Sequence, residues 1–433
     1  MGVGIIKKDI AIVVENLIQF QYIENGINIL LNNNISLDIY VPTSKYADDF
    51  DNLFNNAYDY LQKNNYMPKR LPDNTEYKIL LEPYPTDKYF KINHTYRIKY
   101  PYSFIAAKPD PSFKPDWNIY YDAILCHSEY EASYLKAYAE TIVLSPLKHK
   151  FNRSTSSKIK PTLLYLPTYG DLSSIDELIN IFNNLKNTYY IIIKFHHGTS
   201  FLNNEKDRLN QLKVLADEWY DLNTNLSYLL SKSDVVLSDN SGAIFEALYN
   251  NVPVAIFAKN INKKLGDFNT IQYDLVISDI IPYTNNSNEI LKILSLACSN
   301  EYKIRQKNIK NKLFYISENA EQEFLNIIRN YLSDNVNLKY KQLHDVLKND
   351  YELKSASISN LTEENGNLCA KIETYNQEIE NLKNKNLESE NIIATLNNKI
   401  KQQNTMLSEY NNGLLYKVAR KIYKIYFKIF KHK

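Results

Sequence analysis

Glycine is scarce in this chain. There are nine in 433 residues: Gly2, Gly4, Gly26, Gly170, Gly198, Gly242, Gly266, Gly366 and Gly413. They assemble into neither GxGxxG nor GxxxxGK[ST], which excludes a P-loop and a standard dinucleotide fingerprint. The three cysteines, Cys126, Cys298 and Cys369, are too widely spaced for a CxxC pair or a disulfide framework. A reducing cytosol is therefore expected, with no structural zinc. No stretch reaches the ~18 uncharged apolar residues of a membrane span. Lys7-Lys8-Asp9 interrupts any signal-peptide core, and Ile6 breaks the myristoylation pattern. The net charge is only +2, so no basic field argues for nucleic acid. Prolines stop at Pro282, which favours long helices beyond it.

What is present is an α/β rhythm. The length exceeds one ordinary core, and 44% hydrophobic with 23% charged residues is usual for a soluble globular chain. Strand runs at Asp9–Val14, Ser36–Pro42, Tyr77–Tyr84 and Tyr121–Ser128 alternate with helical runs such as Leu17–Asn33 and Glu129–Glu140. That alternation predicts a parallel sheet within residues 1–142. A polar, basic, Ser-rich stretch over 143–160 reads as a linker. The rhythm resumes over 161–332, with strands at Thr162–Pro167, Tyr189–Phe195, Asp234–Asp239 and Pro253–Lys259.

The last hundred residues differ. Over 333–410 the chain reads as helical, and from Asp350 a 3-4 spacing sets in. It places Ile358, Asn365, Ile372, Ile379, Asn386, Ile393, Ile400 and Leu407 at one core position of a heptad. Leu361, Leu368, Tyr375, Leu382, Ser389, Leu396 and Gln403 fall at the other. Ile and occasional Asn at a, with Leu at d, predict a parallel coiled-coil homodimer. Residues 411–433 carry lysines at three- and four-residue steps (Lys417, Lys421, Lys424, Lys428, Lys431) beside a stripe of Leu415, Val418, Ile422, Ile425 and Ile429. No acidic residue follows Glu409. This is a basic amphipathic helix suited to an anionic bilayer surface; docking on the protein's own core is the plainer alternative.

In a parallel α/β sheet, ligands bind at the carboxyl ends of the strands. Three motifs of the second lobe fall there, each with a glycine: Thr168–Asp171, His196–Thr199 and Ser238–Gly242. The last also opens a helix, whose free N–H groups and partial positive charge suit a phosphate. Ser238, Asp239, Asn240, Ser241 and Gly242 are thus candidate donor-binding residues, with Thr168. Glu246, one turn on, is placed to reach ribose hydroxyls. The plain alternative is that Asp239 or Ser241 is only a helix cap. His196 and His197 are adjacent on extended chain and point apart, so they do not form a metal pair. His196 is a candidate phosphate ligand or leaving-group acid. In the first lobe His94 is a candidate general base, with His127 as its rival.

These residues carry a resemblance. "YYDAILCHSEYEASYL", "LLYLPTYGD", "IIIKFHH" and "SKSDVVLSDNSGAIFEALYNNVPVAIF" resemble the strand-"SE"-helix, "YAPTWR", "KLHP" and "ADVLITDYSS…FD…KPVIFF" segments of the CDP-glycerol glycerophosphotransferase family. The resemblance covers about Tyr120 to Lys259. It implies a GT-B α/β fold: a Rossmann-like acceptor lobe (1–142) facing a nucleotide-donor lobe (161–332) across a cleft. It implies that His196 and the turn Ser238, Asp239, Ser241 hold a nucleotide diphosphate, with Glu246 as the acidic helix residue. His94 stands for the first-lobe base of an "HGT" motif. Thr95, Gly170, His197 and Gly242 depart from the family pattern, so the donor stays open among CDP-glycerol, another CDP-polyol and a nucleotide sugar. The expected activity is a metal-independent transferase building a bacterial surface polysaccharide. It would act on a polysaccharide or lipid-linked acceptor at the inner membrane face, without nucleic acid. Asp49-Phe50-Asp51 reads as a solvated helix start, not a metal site. The alternatives are a sugar-nucleotide epimerase of the same fold and an inactive coiled-coil scaffold.

Overall fold

The computed structural model describes residues 6–43, 48–87, 90–102, 118–148, 151, 159–170, 173–196, 205–221, 223–239, 241–257, 278–336, 338–409 and 414–430. The chain divides into two compact units, Met1–Lys348 and Asn349–Lys433.

The first unit holds two six-stranded sheets, parallel throughout. One comprises β1 (Ile6–Val13), β2 (Leu37–Tyr40), β3 (Thr75–Glu82), β4 (Asn93–Lys99), β5 (Ala123–Cys126) and β6 (Glu140–Val143), in the spatial order β2-β1-β3-β4-β5-β6. The other comprises β7 (Thr162–Leu166), β8 (Tyr190–Lys194), β9 (Glu218–Tyr220), β10 (Val235–Ser238), β11 (Val254–Phe257) and β12 (Tyr283–Thr284), ordered β12-β11-β10-β7-β8-β9. Parallel strands are covered on both faces by crossover helices, so their central residues are apolar without alternation. Ile10–Val13 and Val235–Leu237 are accordingly buried to the last atom.

The helix Leu17–Asn32 follows β1 directly. Asn16 caps it, its side chain accepting the Gln19 N–H at 3.0 Å. Phe20, Ile23, Ile27 and Leu30 turn one helical face into the first-sheet core. On that face Gly26 permits a close approach. A Cβ there would lie 3.1 Å from Ile23, 3.3 Å from Leu147 and 3.3 Å from Phe324.

Phe324 comes from far along the chain. The helix Ala320–Leu332 lies within the 161–332 stretch that the sequence groups with the second lobe, yet it seats on the first. Phe324, Leu325, Ile328 and Tyr331 join the first-sheet core. The Tyr331 hydroxyl donates to Glu140 at 2.8 Å, and its ring meets Tyr96 edge-on. The chain therefore crosses between the sheets twice, out after β6 and back before Ala320.

Asp49 and Asp51 fall in the first turn of the helix Asp48–Lys63. Further on, one helix runs without interruption over Leu338–Glu409, 72 residues. Its heptad residues lie bare along the single chain, among them Ile372 at 57%, Ile379 at 49% and Leu382 at 64% exposure. A last helix spans Leu414–Phe430. Among the described residues no helix is long and apolar enough to cross a membrane.

Truncating Phe324, which is fully buried, removes the anchor of the returning helix. Phe324→Ala is expected to lower the stability of the first unit by about 3–5 kcal/mol, read from its urea midpoint.

Candidate functional site

Strands β10, β7 and β8 are neighbours, so the loops leaving their carboxyl ends lie side by side. These are the three motifs singled out in the sequence, and the described parts are knit together. Asp239 is buried, and its carboxylate accepts the Thr168 N–H at 2.8 Å, the Ser174 N–H at 3.0 Å and the Ser174 hydroxyl at 2.9 Å. Burial raises its pKa to about 6 against those hydrogen bonds. Ser238 is also buried, its hydroxyl donating to the Leu166 carbonyl at 2.7 Å. Both side chains thus tie the end of β10 to the loop after β7. In the ligand-free chain these two side chains, expected from sequence to bind a donor, are engaged with the protein's own loop.

Ser241 beside them is buried as well, whereas Gly242 and Tyr169 are exposed. Ser241 Oγ accepts the Ala243 N–H at 3.3 Å, a loose cap on the helix Ala243–Tyr249. Gly242 has φ −62°, within reach of any residue, and a Cβ on it would meet nothing within 4 Å. Asn240, His197, Gly198 and Thr199 lie outside the described residues. Gly170 holds a left-handed φ of +67°, which favours glycine; its N–H donates to Glu205 at 3.1 Å and its carbonyl accepts from Arg208 at 3.2 Å. Tyr169 and His196 stack across the adjoining loops, with ring centroids 4.7 Å apart and planes 27° from parallel.

Glu246 does not face solvent. Its Oε1 accepts from the Tyr22 hydroxyl at 2.6 Å, and its Oε2 takes the Lys148 ammonium at 2.5 Å. Lys148 also sits over the Tyr22 ring, 4.5 Å from its centroid. All three are at least nine-tenths buried. Tyr22 comes from the first lobe, Lys148 from the linker and Glu246 from the second, so this cluster joins the lobes where their carboxyl edges meet. Removing one charge of such a pair strands the other and costs about 3–5 kcal/mol. The ribose contact expected of Glu246 is taken up here by protein partners. Lys194, at the end of β8, donates to the Asp221 carbonyl at 3.0 Å; poor solvation, then the neighbouring Lys148 charge, lower its pKa to about 8.

His94 is elsewhere. It is the second residue of β4, at the amino end of the first sheet, paired in register with Tyr77. Five residues of extended chain, about 16 Å, separate it from the carboxyl end at Lys99. Its Nδ1 is 2.7 Å from the Ile92 carbonyl oxygen, and burial lowers its pKa. The carboxyl end of β4, where a parallel sheet places ligands, is followed by Tyr100, Pro101 and Tyr102. The rival, His127, does follow β5 at the correct edge. It lines a small cavity with Tyr22, Tyr100, Pro101, Leu144 and Leu147. Ser128 caps the helix Glu129–Leu135, and Glu131 accepts the His127 N–H at 2.8 Å.

Sequence reasoning missed Tyr22, Lys148 and Lys194. Lys148 sits in a stretch whose basic residues read as solvated linker, and Lys194 reads as plain strand edge. No local pattern distinguishes Tyr22 among 36 tyrosines.

No family model and no curated protein sequence matches the chain. Solved structures do. The Wall Teichoic Acid Polymerase TagF superposes with a TM-score of 0.51 at 14% identity, over 76% of this chain and 90% of that one. A variant of that polymerase soaked with CDPG gives a TM-score of 0.53 at 14% identity, over 76% and 90%. At this identity the likeness establishes the architecture: the two parallel α/β lobes are those of the GT-B fold.

Burial lowers the His127 pKa to about 4. Below its ordinary value of about 6.5, the unfolded chain takes up a proton that the folded chain refuses, so stability falls as pH drops from 6.5 towards 4. Between pH 7 and 5 the wild type should lose about 2 kcal/mol more than His127→Gln, measured as urea midpoints at both pH values.

Proposed function

We propose that this chain is a GT-B transferase. It moves a glycerophosphate, or a related polyol phosphate or sugar, from a nucleotide-diphosphate donor to a growing bacterial surface polysaccharide. The observation that carries the reading is the convergence of three loops at the ends of adjacent strands β10, β7 and β8, beside the junction with the other lobe. That is where a nucleotide binds in an open parallel sheet.

In this reading Asp239 and Ser238 act from behind, fixing the Thr168 loop against the end of β10. The donor diphosphate lies over Ser241 and Gly242, against backbone N–H groups, and His196 donates to the leaving phosphate. Protein groups supply the charge compensation, without a resident metal. On the acceptor side His127, kept neutral, replaces His94 as the candidate base. CDP-glycerol is the favoured donor, on the resemblance of the donor-lobe segments to the glycerophosphotransferase family. The acceptor is a polysaccharide or lipid-linked chain.

A thermal-shift screen of CDP- and UDP-linked donors tests the reading, and silence with all of them would favour the inactive scaffold. Gly242→Ala sharpens it. The backbone accepts alanine and nothing crowds the new methyl, so the melting temperature should hold while nucleotide affinity falls about tenfold.

The C-terminal helices extend the proposal to location and assembly. Val418, Ile422, Ile425, Tyr426 and Phe427 are exposed on a helix whose charged residues are all basic. Removing residues 413–433 should release the protein from vesicles containing anionic lipid, scored by co-sedimentation. The bare heptad stripe is assigned to a second copy of the same helix. Ile372→Asn with Ile379→Asn should shift the chain from dimer to monomer in sedimentation velocity.

A further inference from the structure

The phosphate-binding cations of the proposed donor site were not among the residues the sequence marked. Two lysines lie at this edge. Lys148 is 5% exposed and ion-paired to Glu246. Lys194 ends β8, two residues before His196, with its ammonium on the Asp221 carbonyl. Strands β8 and β10 flank β7, so Lys194 and the helix carrying Glu246 leave the same edge of the sheet. The buried Lys148 ammonium needs an anion beside it, because a buried charge is tolerated only when paired. In the ligand-free chain Glu246 is that anion for Lys148. It stands one helical turn from Gly242, on the helix that opens at the proposed diphosphate position.

We propose that Lys148 and Lys194 form a diphosphate seat, and that Glu246 is its internal placeholder, displaced from Lys148 when a nucleotide diphosphate binds. The inference rests on the donor site proposed above but can fail separately from it. A diphosphate supplies what Glu246 supplies, negative oxygens at the Lys148 ammonium, with more charge and with oxygens to spare for Lys194. Binding is then weakened by the fraction of chains in which the placeholder is home.

The test is calorimetric titration of the full chain with inorganic pyrophosphate, which carries the seat's chemistry without a base or ribose. Wild type should bind. Lys148→Gln combined with Glu246→Gln removes cation and counter-ion together, so no buried charge is stranded; it should bind at least tenfold more weakly while keeping a cooperative melting transition. Lys194→Gln should weaken binding likewise, while Lys148→Arg should retain it. Glu246→Gln alone should bind several-fold more tightly than wild type, because the placeholder has lost its charge. Equal binding by wild type and the double variant overturns the proposal, as does weaker binding by Glu246→Gln or no binding by wild type. Pyrophosphate binding without any binding of CDP or UDP would leave the seat standing and remove the nucleotide-donor reading.

Discussion

A carboxylate closed off from water between two lobes must be neutralised where it lies, and the placing of Glu246 follows from that requirement. Its two oxygens reach a tyrosine of one lobe and a lysine of the linker, 224 and 98 residues away in sequence. The pairing holds the helix after β10 against the helix after β1. Both helices leave the carboxyl ends of their strands, so the contact ties together the two lobes near those ends.

Buried polar groups elsewhere divide the work along similar lines. Asp239 is spent on loop geometry, and its three hydrogen bonds explain why Thr168 and Ser174 lie where they do. The first lobe has a counterpart in Glu82, fully buried, which takes the Arg97 side chain and the Thr86 hydroxyl at the end of β3. In each lobe a carboxylate at a central strand end shapes the neighbouring loop.

The fold was legible wherever a strand is a continuous apolar run. β2, β5, β7, β8, β10 and β11 fall inside runs marked from sequence, β1 and β3 begin two or three residues before theirs, and the helix Leu17–Asn32 was placed to within a residue. β4 was not, because Asn93–Lys99 interleaves charged residues with apolar ones. Arg97 and Lys99 are buried all the same, through Glu82, Asp87 and Asn118, and only three-dimensional partners reveal that. With β4 unassigned, the position of His94 at the amino end of the sheet was not legible either. The rim motifs were legible because strand-end loops bear recognisable small and polar residues. Which of their side chains point inward was not, because Asp239 and Ser238 choose their partners across 65 to 72 residues of sequence.

The returning helix Ala320–Leu332 has a mechanical consequence. A pair of lobes joined by one strand of chain can swivel in any direction about it. Here the chain passes between them twice, and the second passage is riveted by Phe324 beside Gly26 and Leu147, the latter in the first passage. Two attachments at neighbouring points leave one easy rotation, about the line through both, as with a door on a pair of hinges.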